Sequence, residues 1–202
     1  MLTKLKTSVQ KWLTFEAAVF HRLGFTPNRV SMLGMILALL SALTYWQWES
    51  YTFFLILAPM LMLASGLLDA LDGIIARIYG ETSTFGGFFD SILDRYADAV
   101  ILSGILLGGL TQIAWGLAAL FGSLMVSYAR ARAEAAGVKM ESIGLAERAE
   151  RIVILALTSF LSLIWLDALN LGVLLLAVLT NLTVIQRAIY FHKASNGYNR
   201  KD

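Results

Sequence analysis

Six apolar stretches follow one another along this chain, and they constrain its fold more than any other feature of the sequence. They cover residues 30–48, 53–78, 88–107, 113–136, 152–166 and 171–191. One helical crossing of a bilayer core needs about 20 predominantly apolar residues. With 202 residues, 58% of them hydrophobic, the chain has room for six such spans and little else. The pattern predicts an all-α integral membrane protein with six transmembrane helices.

The segment before the first stretch predicts a helix that lies along the membrane surface. Residues 3–22 interleave aromatic and aliphatic side chains with lysines, which is typical of an amphipathic interfacial helix. A solvated helix on a protein partner is the alternative. The proline that follows, Pro27, suits the first turn of a new helix. We therefore expect an interfacial helix at 1–25, a six-helix membrane domain at 26–194 and a cytoplasmic tail at 195–202.

The basic residues lie on one side of the predicted bundle. All 16 lysines and arginines fall on the N-terminal segment, the connections after stretches two and four, the C-terminal tail, or span ends beside them. The short connections after stretches one, three and five, at 49–50, 108–109 and 167–168, carry only Glu49 and Asp167. By the positive-inside rule, we expect a multi-pass protein of the cell membrane with both termini cytoplasmic.

Composition excludes several classes of function. The chain has no cysteine, so disulfides, thiolate metal sites and cysteine nucleophiles are excluded. A net charge of +2 is too small to indicate a nucleic-acid partner. The N-terminus is amphipathic rather than a basic start before a short apolar core, so no cleavable signal peptide is expected.

Four aspartates interrupt the second and third apolar stretches. Asp69 and Asp72 are three residues apart, and Asp90 and Asp94 are four apart, so on helices each pair shares one face. Both pairs lie near the predicted cytoplasmic ends of antiparallel spans and can therefore face each other. A carboxylate costs several kcal/mol or so in hydrocarbon, so this cluster needs a compensating charge.

Divalent cations are the compensation that we expect. Ligation by carboxylate oxygens alone suits Mg²⁺, Mn²⁺ or Ca²⁺ rather than Zn²⁺. Four carboxylates favour two ions that share ligands. The alternative is structural pairing with Arg77 and Arg95, but two arginines cannot neutralise four carboxylates plus Asp98. Asp98, one turn after Asp94, is expected to support a ligand or to pair with Arg95, and is not counted as a ligand.

The aspartates belong to a longer pattern: D-x-x-D-G-x-x-A-R, eight residues, then G-x-x-x-D-x-x-x-D. It specifies eight positions, which are Asp69, Asp72, Gly73, Ala76, Arg77, Gly86, Asp90 and Asp94. It resembles, without a departure, the signature of the CDP-alcohol phosphotransferases, and the resemblance extends over nearly the whole chain. Members of that family transfer a phosphatidyl-type group from a CDP-linked donor to an alcohol and release CMP.

The resemblance implies a role for each matched residue. Two divalent cations, Mg²⁺ or Mn²⁺, would be bound by Asp69, Asp72, Asp90 and Asp94. Asp94 would also be the general base that takes the proton of the acceptor hydroxyl. The CDP group would be bound by Asn28, Asp72, Gly73, Ala76, Arg77, Ser83 and Gly86. A homodimer in membrane lipid is also implied.

Arginines from three spans predict a second, basic site. Arg130 and Arg132 are expected at the cytoplasmic end of span four, Arg148 and Arg151 at the start of span five, and Arg187 at the end of span six. Arginine binds phosphate with two parallel hydrogen bonds, so the group favours a doubly ionised acceptor over a neutral alcohol. The alternative is flanking charge of the positive-inside kind, paired with glutamates.

The basic segment also resembles one branch of the family, the phosphatidylinositol-phosphate and archaetidylinositol-phosphate synthases. That resemblance implies inositol 1-phosphate as acceptor, a CDP-lipid (CDP-diacylglycerol or CDP-archaeol) as donor, and phosphate ligands at Ser127, Arg130, Arg132, Arg148, Arg151 and Arg187. Glycerol 3-phosphate as acceptor, or soluble CDP-inositol as donor, are the alternatives within the family. A divalent-cation transporter is the alternative outside it. A catalytically silent scaffold is made improbable by the intact aspartates.

Overall fold

A computed structural model of the protein describes residues 13–140, 143–145 and 147–198, with side chains as far as residue 195. Within these ranges all regular structure is helical, which confirms the predicted class. The helices are α1 (13–22), α2 (Pro27–Trp46), α3 (Phe54–Ile78), α4 (Thr84–Leu107), α5 (Ile113–Ala135), α6 (Arg148–Leu161) and α7 (Asp167–Tyr198). A 3₁₀ turn, Trp48–Ser50, follows α2. The first half of the predicted interfacial helix and the end of the predicted tail lie outside the described residues.

Four of the described helices are long and apolar enough to cross a membrane: α2, α3, α5 and α7. The other two predicted spans do not meet this criterion of length and apolar composition, each for its own reason. The third, α4, has 24 residues but carries Asp90, Asp94, Arg95 and Asp98 within its first 15. The fifth, α6, has only 14 residues, about 21 Å at 1.5 Å per residue. The molecule is a membrane protein, and a six-span arrangement stays a prediction.

Helix α2 is the element that joins the two helices that carry the aspartates. It packs along both α3 and α4, whereas α3 and α4 touch each other little. Gly104 of α4 abuts the backbone of Ala42, where any side chain would collide. On the other side, the Ser41 hydroxyl donates to the carbonyl of Ala58 at 2.8 Å. These close approaches let α2 hold both α3 and α4, and thereby set how the two helices that carry the aspartates lie relative to each other.

The remaining helices close the bundle. Helix α6 packs on α3 and α7, and α5 packs on α7 and α4. The larger buried cluster includes Tyr45, Met62, Ile105 and Leu176, and the Tyr45 hydroxyl is 2.6 Å from the Ser159 hydroxyl. A second cluster joins Ala17 of α1 to α2 and α3. Helix α1 is therefore part of the folded domain and covers the ends of α2 and α3 nearest the aspartates.

One predicted connection is wrong. Residues 167–168 were expected to link spans five and six, but Asp167 begins α7, and the link is 162–166. Helix α6 ends at Leu161, where the Ser162 hydroxyl donates to the carbonyl of Ser159 at 2.6 Å. The linking residues are mostly apolar, with Ser162 followed by Leu, Ile, Trp and Leu. An apolar loop of this kind cannot be told from helix by hydrophobicity.

Candidate active site

Three of the four predicted metal-binding aspartates come together at one end of the bundle. Asp69 and Asp72 lie in the last turns of α3, and Asp90 lies in the second turn of α4. One carboxylate oxygen of each lies within 4.8 Å of the other two. Asp72 is the most buried of them, with 4% of its surface exposed. The helical spacing and the predicted convergence of α3 and α4 explain this grouping.

Asp94, the fourth, lies beside this group and is held by arginines. The Nη1 of Arg148 donates to its Oδ1 at 2.5 Å, and the Nη1 of Arg95 is 3.7 Å from its Oδ2. The same Nη1 of Arg148 is 2.5 Å from the Oδ2 of Asp69. Asp69, Asp90, Asp94 and Arg148 line one narrow gap between the helices. Arg148, which was predicted as a phosphate ligand, is thus also the main counter-ion of the aspartates.

The cluster fits a divalent cation of the hard, oxygen-binding kind. Oxygens on opposite sides of an ion bound at about 2.1–2.5 Å are about 4–5 Å apart, and the three carboxylates span a comparable distance. The donors are carboxylate oxygens, the ligands that Mg²⁺ and Mn²⁺ prefer. The alternative of structural pairing with Arg77 and Arg95 fails for Arg77, whose guanidinium lies beside Gly73 and lines a cavity.

A cavity of about 240 Å³, here called the nucleotide cavity, opens on the Asp72 and Asp90 side of the cluster. Its walls come from the start of α2, the end of α3 and the start of α4. All seven residues predicted to bind CDP line it: Asn28, Asp72, Gly73, Ala76, Arg77, Ser83 and Gly86. The structure therefore brings the whole predicted set together around one cavity.

The start of α4 is shaped by a cap and a glycine. The Ser83 hydroxyl accepts a hydrogen bond from the backbone N–H of Gly86 at 2.9 Å, the usual N-cap arrangement. A Cβ at Gly86 would lie 2.9 Å from that hydroxyl and 3.4 Å from the Oδ1 of Asn28. The absence of a side chain at Gly86 keeps the Ser83 hydroxyl in place at the wall of the nucleotide cavity.

A second cavity, of about 340 Å³ and here called the basic cavity, opens on the Asp69 and Asp94 side. Five of the six predicted phosphate ligands line it: Ser127, Arg130, Arg148, Arg151 and Arg187. The sixth, Arg132, is exposed and is not among the lining residues. Arg130 and Arg132 are two residues apart on α5, so they point to different faces of that helix.

Two of the arginines that line the basic cavity also donate hydrogen bonds to backbone carbonyls. Arg187 donates to the carbonyls of Val126 at 2.5 Å and Ile143 at 2.8 Å, which joins α7 to α5 and to the α5–α6 connection. Arg151 donates to the carbonyl of Ser123 at 3.2 Å. These contacts stiffen the wall of the basic cavity and limit where the guanidinium groups can move.

Sequence reasoning missed two contacts in this region. Ser31 of α2 donates its hydroxyl to the Oδ2 of Asp72 at 2.5 Å and lies in the nucleotide cavity. Asp98 does not pair with Arg95; its carboxylate contacts Arg148 and Arg151 of α6. Ser31 lies one helical turn after Pro27, on the same face of α2. That spacing was the feature of the sequence that could have placed Ser31 near the site. The partners of Asp98 come from a distant helix and left no signal in the sequence.

Comparisons with known proteins agree with this geometry. The sequence model of the CDP-alcohol phosphatidyltransferase family matches residues 25–185. The archaetidylinositol phosphate synthase of Pyrococcus horikoshii is 43% identical over 190 residues, covering 93% of this chain and 94% of that protein.

Solved structures are similar as well. The phosphatidylinositol phosphate synthase of Mycobacterium tuberculosis with CDP-DAG bound has a TM-score of 0.78 and 31% identity, covering 89% of this chain and 92% of that one. The same enzyme in complex with manganese and citrate has a TM-score of 0.77 and 31% identity, covering 89% and 88%. The chain belongs to the CDP-alcohol phosphatidyltransferase family, as the aspartate signature predicted.

Proposed function

We propose that this protein transfers a phosphatidyl or archaetidyl group from a CDP-lipid to inositol 1-phosphate and releases CMP. One observation carries the proposal: the aspartates form the wall between a cavity lined by every predicted CDP residue and a cavity lined by arginines. A donor on one side and a phosphorylated acceptor on the other would meet at the carboxylates. The similarity to synthases of inositol-phosphate lipids, one with CDP-DAG bound, supports this choice of substrates.

On the donor side, the nucleotide cavity would hold the CDP group. Its glycines, Gly73 and Gly86, allow close approach to the backbone, and Arg77 provides a cation for a phosphate. The N-terminus of α4 lies at the same cavity, and the positive end of its helix dipole would favour an anion there. The lipid tails would leave through a lateral gap towards the membrane.

We propose that Asp69, Asp72, Asp90 and Asp94 bind divalent cations, two in number, either Mg²⁺ or Mn²⁺. When bound, such cations would neutralise the pyrophosphate, polarise the β-phosphorus and stabilise the departing CMP. The manganese complex of the related mycobacterial enzyme supports divalent metal use.

On the acceptor side, the arginines would bind the phosphate of inositol 1-phosphate and so direct one inositol hydroxyl towards Asp94. Asp94 would accept the proton of that hydroxyl. The hydroxyl oxygen forms a bond to the β-phosphorus as the bond from that phosphorus to the bridging oxygen breaks. CMP leaves with the bridging oxygen, and the lipid phosphate ends on inositol. Holding both substrates in line avoids the entropy cost of a collision in solution.

The membrane arrangement is proposed along with the chemistry. We propose six spans with both termini cytoplasmic, in the cell membrane, with residues 26–194 as the catalytic domain and 1–25 as its interfacial helix. The donor would then come from the cytoplasmic leaflet and the acceptor from the cytoplasm. The homodimer stays a prediction, to be tested by the mass of the detergent-solubilised protein.

The proposed activity is tested by CMP release from the purified full-length chain. CDP-diacylglycerol or CDP-archaeol is supplied with Mg²⁺ or Mn²⁺, and inositol 1-phosphate, free inositol, glycerol 3-phosphate and serine are compared. We expect release with inositol 1-phosphate and its loss on addition of a chelator. Release only with glycerol 3-phosphate would overturn the assignment of inositol 1-phosphate as acceptor. Release with none of the acceptors would contradict the proposed activity and favour the transporter alternative. Metal flux in proteoliposomes without nucleotide turnover would support that transporter.

Ser31→Ala is expected to weaken Mn²⁺ binding by about tenfold, because groups that orient a metal-binding carboxylate typically contribute that much or more to affinity. The substitution removes the hydroxyl that donates to the buried carboxylate of Asp72. Mn²⁺ affinity is measured by electron paramagnetic resonance on the purified protein.

The matched control is Ser41→Ala, which removes another buried hydroxyl of α2 that donates to α3, away from the cluster. Its Mn²⁺ affinity should stay within twofold of the parent. Equal affinities for Ser31→Ala and Ser41→Ala would show that Ser31 does not orient Asp72 for a metal.

A further inference from the structure

Asp98 connects the helix that carries Asp94 to two arginines of the basic cavity. It lies one turn after Asp94 on α4, on the same face. Its Oδ2 accepts from the Nη2 of Arg151 at 2.8 Å, and its Oδ1 accepts from the Nε of Arg148 at 3.2 Å. The side chain of Asp98 is 15% exposed and that of Arg151 only 6%. These contacts are shielded from solvent, where charge-assisted hydrogen bonds are strongest.

The two arginines need a shared partner to lie where they do. Arg148 and Arg151 are three residues apart on α6 and share one face, so their charges repel. Asp98 lies between them and offsets part of this repulsion, while Asp69 and Asp94 contact Arg148 at its Nη1. Without Asp98, Arg151 would lose the one carboxylate that it contacts among the described residues, and Arg148 would be held at its Nη1 alone.

Asp98 holds the Nε edge of Arg148, while Asp69 and Asp94 hold its Nη1. Among the described residues, the hydrogen bonds and ion pairs of Arg148 use its Nε and Nη1. Its Nη2 is therefore the donor that these contacts leave available to a ligand. Arg151 donates from Nη1 to the Ser123 carbonyl and from Nη2 to Asp98. Its Nε is buried and has no hydrogen-bond partner among the described residues. Arg151 thus supports Asp98 rather than reaching far into the cavity.

We propose that Asp98 is a positioning residue for the acceptor phosphate: it fixes Arg148 at the wall of the basic cavity, one helical turn from Asp94. This proposal rests on the proposed function and deepens its acceptor site. Because Asp98 and Asp94 belong to one rigid helix, a phosphate bound at Arg148 lies at a set distance from the carboxylate that takes the proton. Asp98 is not proposed as a metal ligand, because it lies eight residues along α4 from Asp90, the member of the carboxylate cluster on that helix.

Asp98→Asn tests the proposal, because an amide keeps one acceptor oxygen but faces the other arginine with its NH₂ group. We expect the KM for inositol 1-phosphate and the dissociation constant for inorganic phosphate to rise by about tenfold or more. The kcat should stay within about threefold, and the KM for the CDP-lipid and the Mn²⁺ affinity within twofold. Asp98→Glu, which keeps the charge, should recover most of the acceptor affinity.

Glu134→Gln is the matched control. Glu134 pairs with Arg130, another arginine of the basic cavity, at 2.8 Å, but this pair is exposed and lies within one helix. Such pairs contribute little, so acceptor KM and phosphate affinity should stay within twofold. Similar losses in Glu134→Gln and Asp98→Asn would show a general charge effect and overturn the positioning role.

The remaining outcomes separate the positioning role from the proposed function. Loss of kcat at unchanged KM, or a Glu variant as impaired as the Asn variant, would assign Asp98 to the fold or to catalysis instead. If Asp98→Asn does not fold, Arg151→Lys carries the test, since it breaks the same bridge from the other side. An unchanged acceptor KM in that variant would overturn the proposal.

Binding is measured with inorganic phosphate by calorimetry on the detergent-solubilised full chain, separately from CMP release. A parent protein that binds phosphate but releases no CMP with inositol 1-phosphate would overturn the proposed function and leave the Asp98 comparison valid. Phosphate affinity unchanged in Asp98→Asn, in a parent that does release CMP, would overturn only the positioning role.

Discussion

Asp94→Asn is expected to lower kcat for CMP release by about 10³-fold, because a positioned general base typically contributes 10²- to 10⁴-fold. The amide cannot take the proton of the acceptor hydroxyl, and it is a weaker ligand for a hard cation. Its carbonyl oxygen can still accept the hydrogen bond that Arg148 now donates to Asp94. The fold and the binding of the CDP-lipid should therefore survive, and the loss should appear in single-turnover CMP release at saturating substrates.

Asp167→Asn is the control for this substitution. Asp167 lies exposed in the first turn of α7, where the predicted topology places the other membrane face. Its CMP release should match that of the parent. Activity of Asp94→Asn within tenfold of the parent would remove Asp94 from the role of base. A parallel loss in Asp167→Asn would show that the assay reports protein quality rather than chemistry.

Gly86→Ala has the second largest expected effect, a loss of about 30-fold in kcat/KM for the CDP-lipid. The new Cβ would lie 2.9 Å from the Ser83 hydroxyl, so that hydroxyl must move from its place at the wall of the nucleotide cavity, whereas the Asn28 Oδ1 at 3.4 Å would be in ordinary contact. Loss of an N-cap costs about 1 kcal/mol, and alanine in place of glycine returns a similar amount through helix propensity. We therefore expect little change in thermal stability beside a large loss of donor use, with the acceptor KM unchanged.

The neighbouring glycine provides a matched control. Gly87 lines the same cavity, but a Cβ at this position meets nothing within 4 Å. Gly87→Ala should retain kcat/KM for the CDP-lipid within about threefold. Equal losses in both alanine variants would indicate that helix flexibility matters rather than the contact with Ser83 and Asn28. No loss in Gly86→Ala would show that the Ser83 cap does not contribute to use of the CDP-lipid.

The sequence was sufficient to predict the convergence of the aspartates. Spacings of three and four residues fix a shared helix face, and an apolar chain cannot leave four carboxylates uncompensated. The CDP residues were implied by the resemblance to the family, and they lie together because most of them flank one turn between two consecutive helices. These predictions depend on neighbours in sequence, and the structure brings those neighbours to one cavity.

Contacts between residues far apart in the chain could not be predicted from the sequence. The packing of α2 against α3 and α4 depends on close contacts such as that of Gly104 with Ala42. A glycine in the sequence does not indicate which residue it will contact. The ion pairs of Arg148 with Asp69 and Asp98 join residues more than 45 positions apart. The end of α6 depends on a hydroxyl contact at Ser162 inside an apolar run. Each of these depends on three-dimensional contacts rather than on periodicity.

The most direct test of the account is a competition between two acceptors in one reaction. Inositol 1-phosphate and glycerol 3-phosphate are supplied at equal concentration with one CDP-lipid and Mg²⁺, and the lipid products are identified by mass spectrometry. The product ratio equals the ratio of kcat/KM values and does not depend on the amount of active enzyme. We predict that the inositol-phosphate lipid dominates by tenfold or more. A dominant glycerol-phosphate lipid would contradict the assignment of the basic cavity to inositol 1-phosphate.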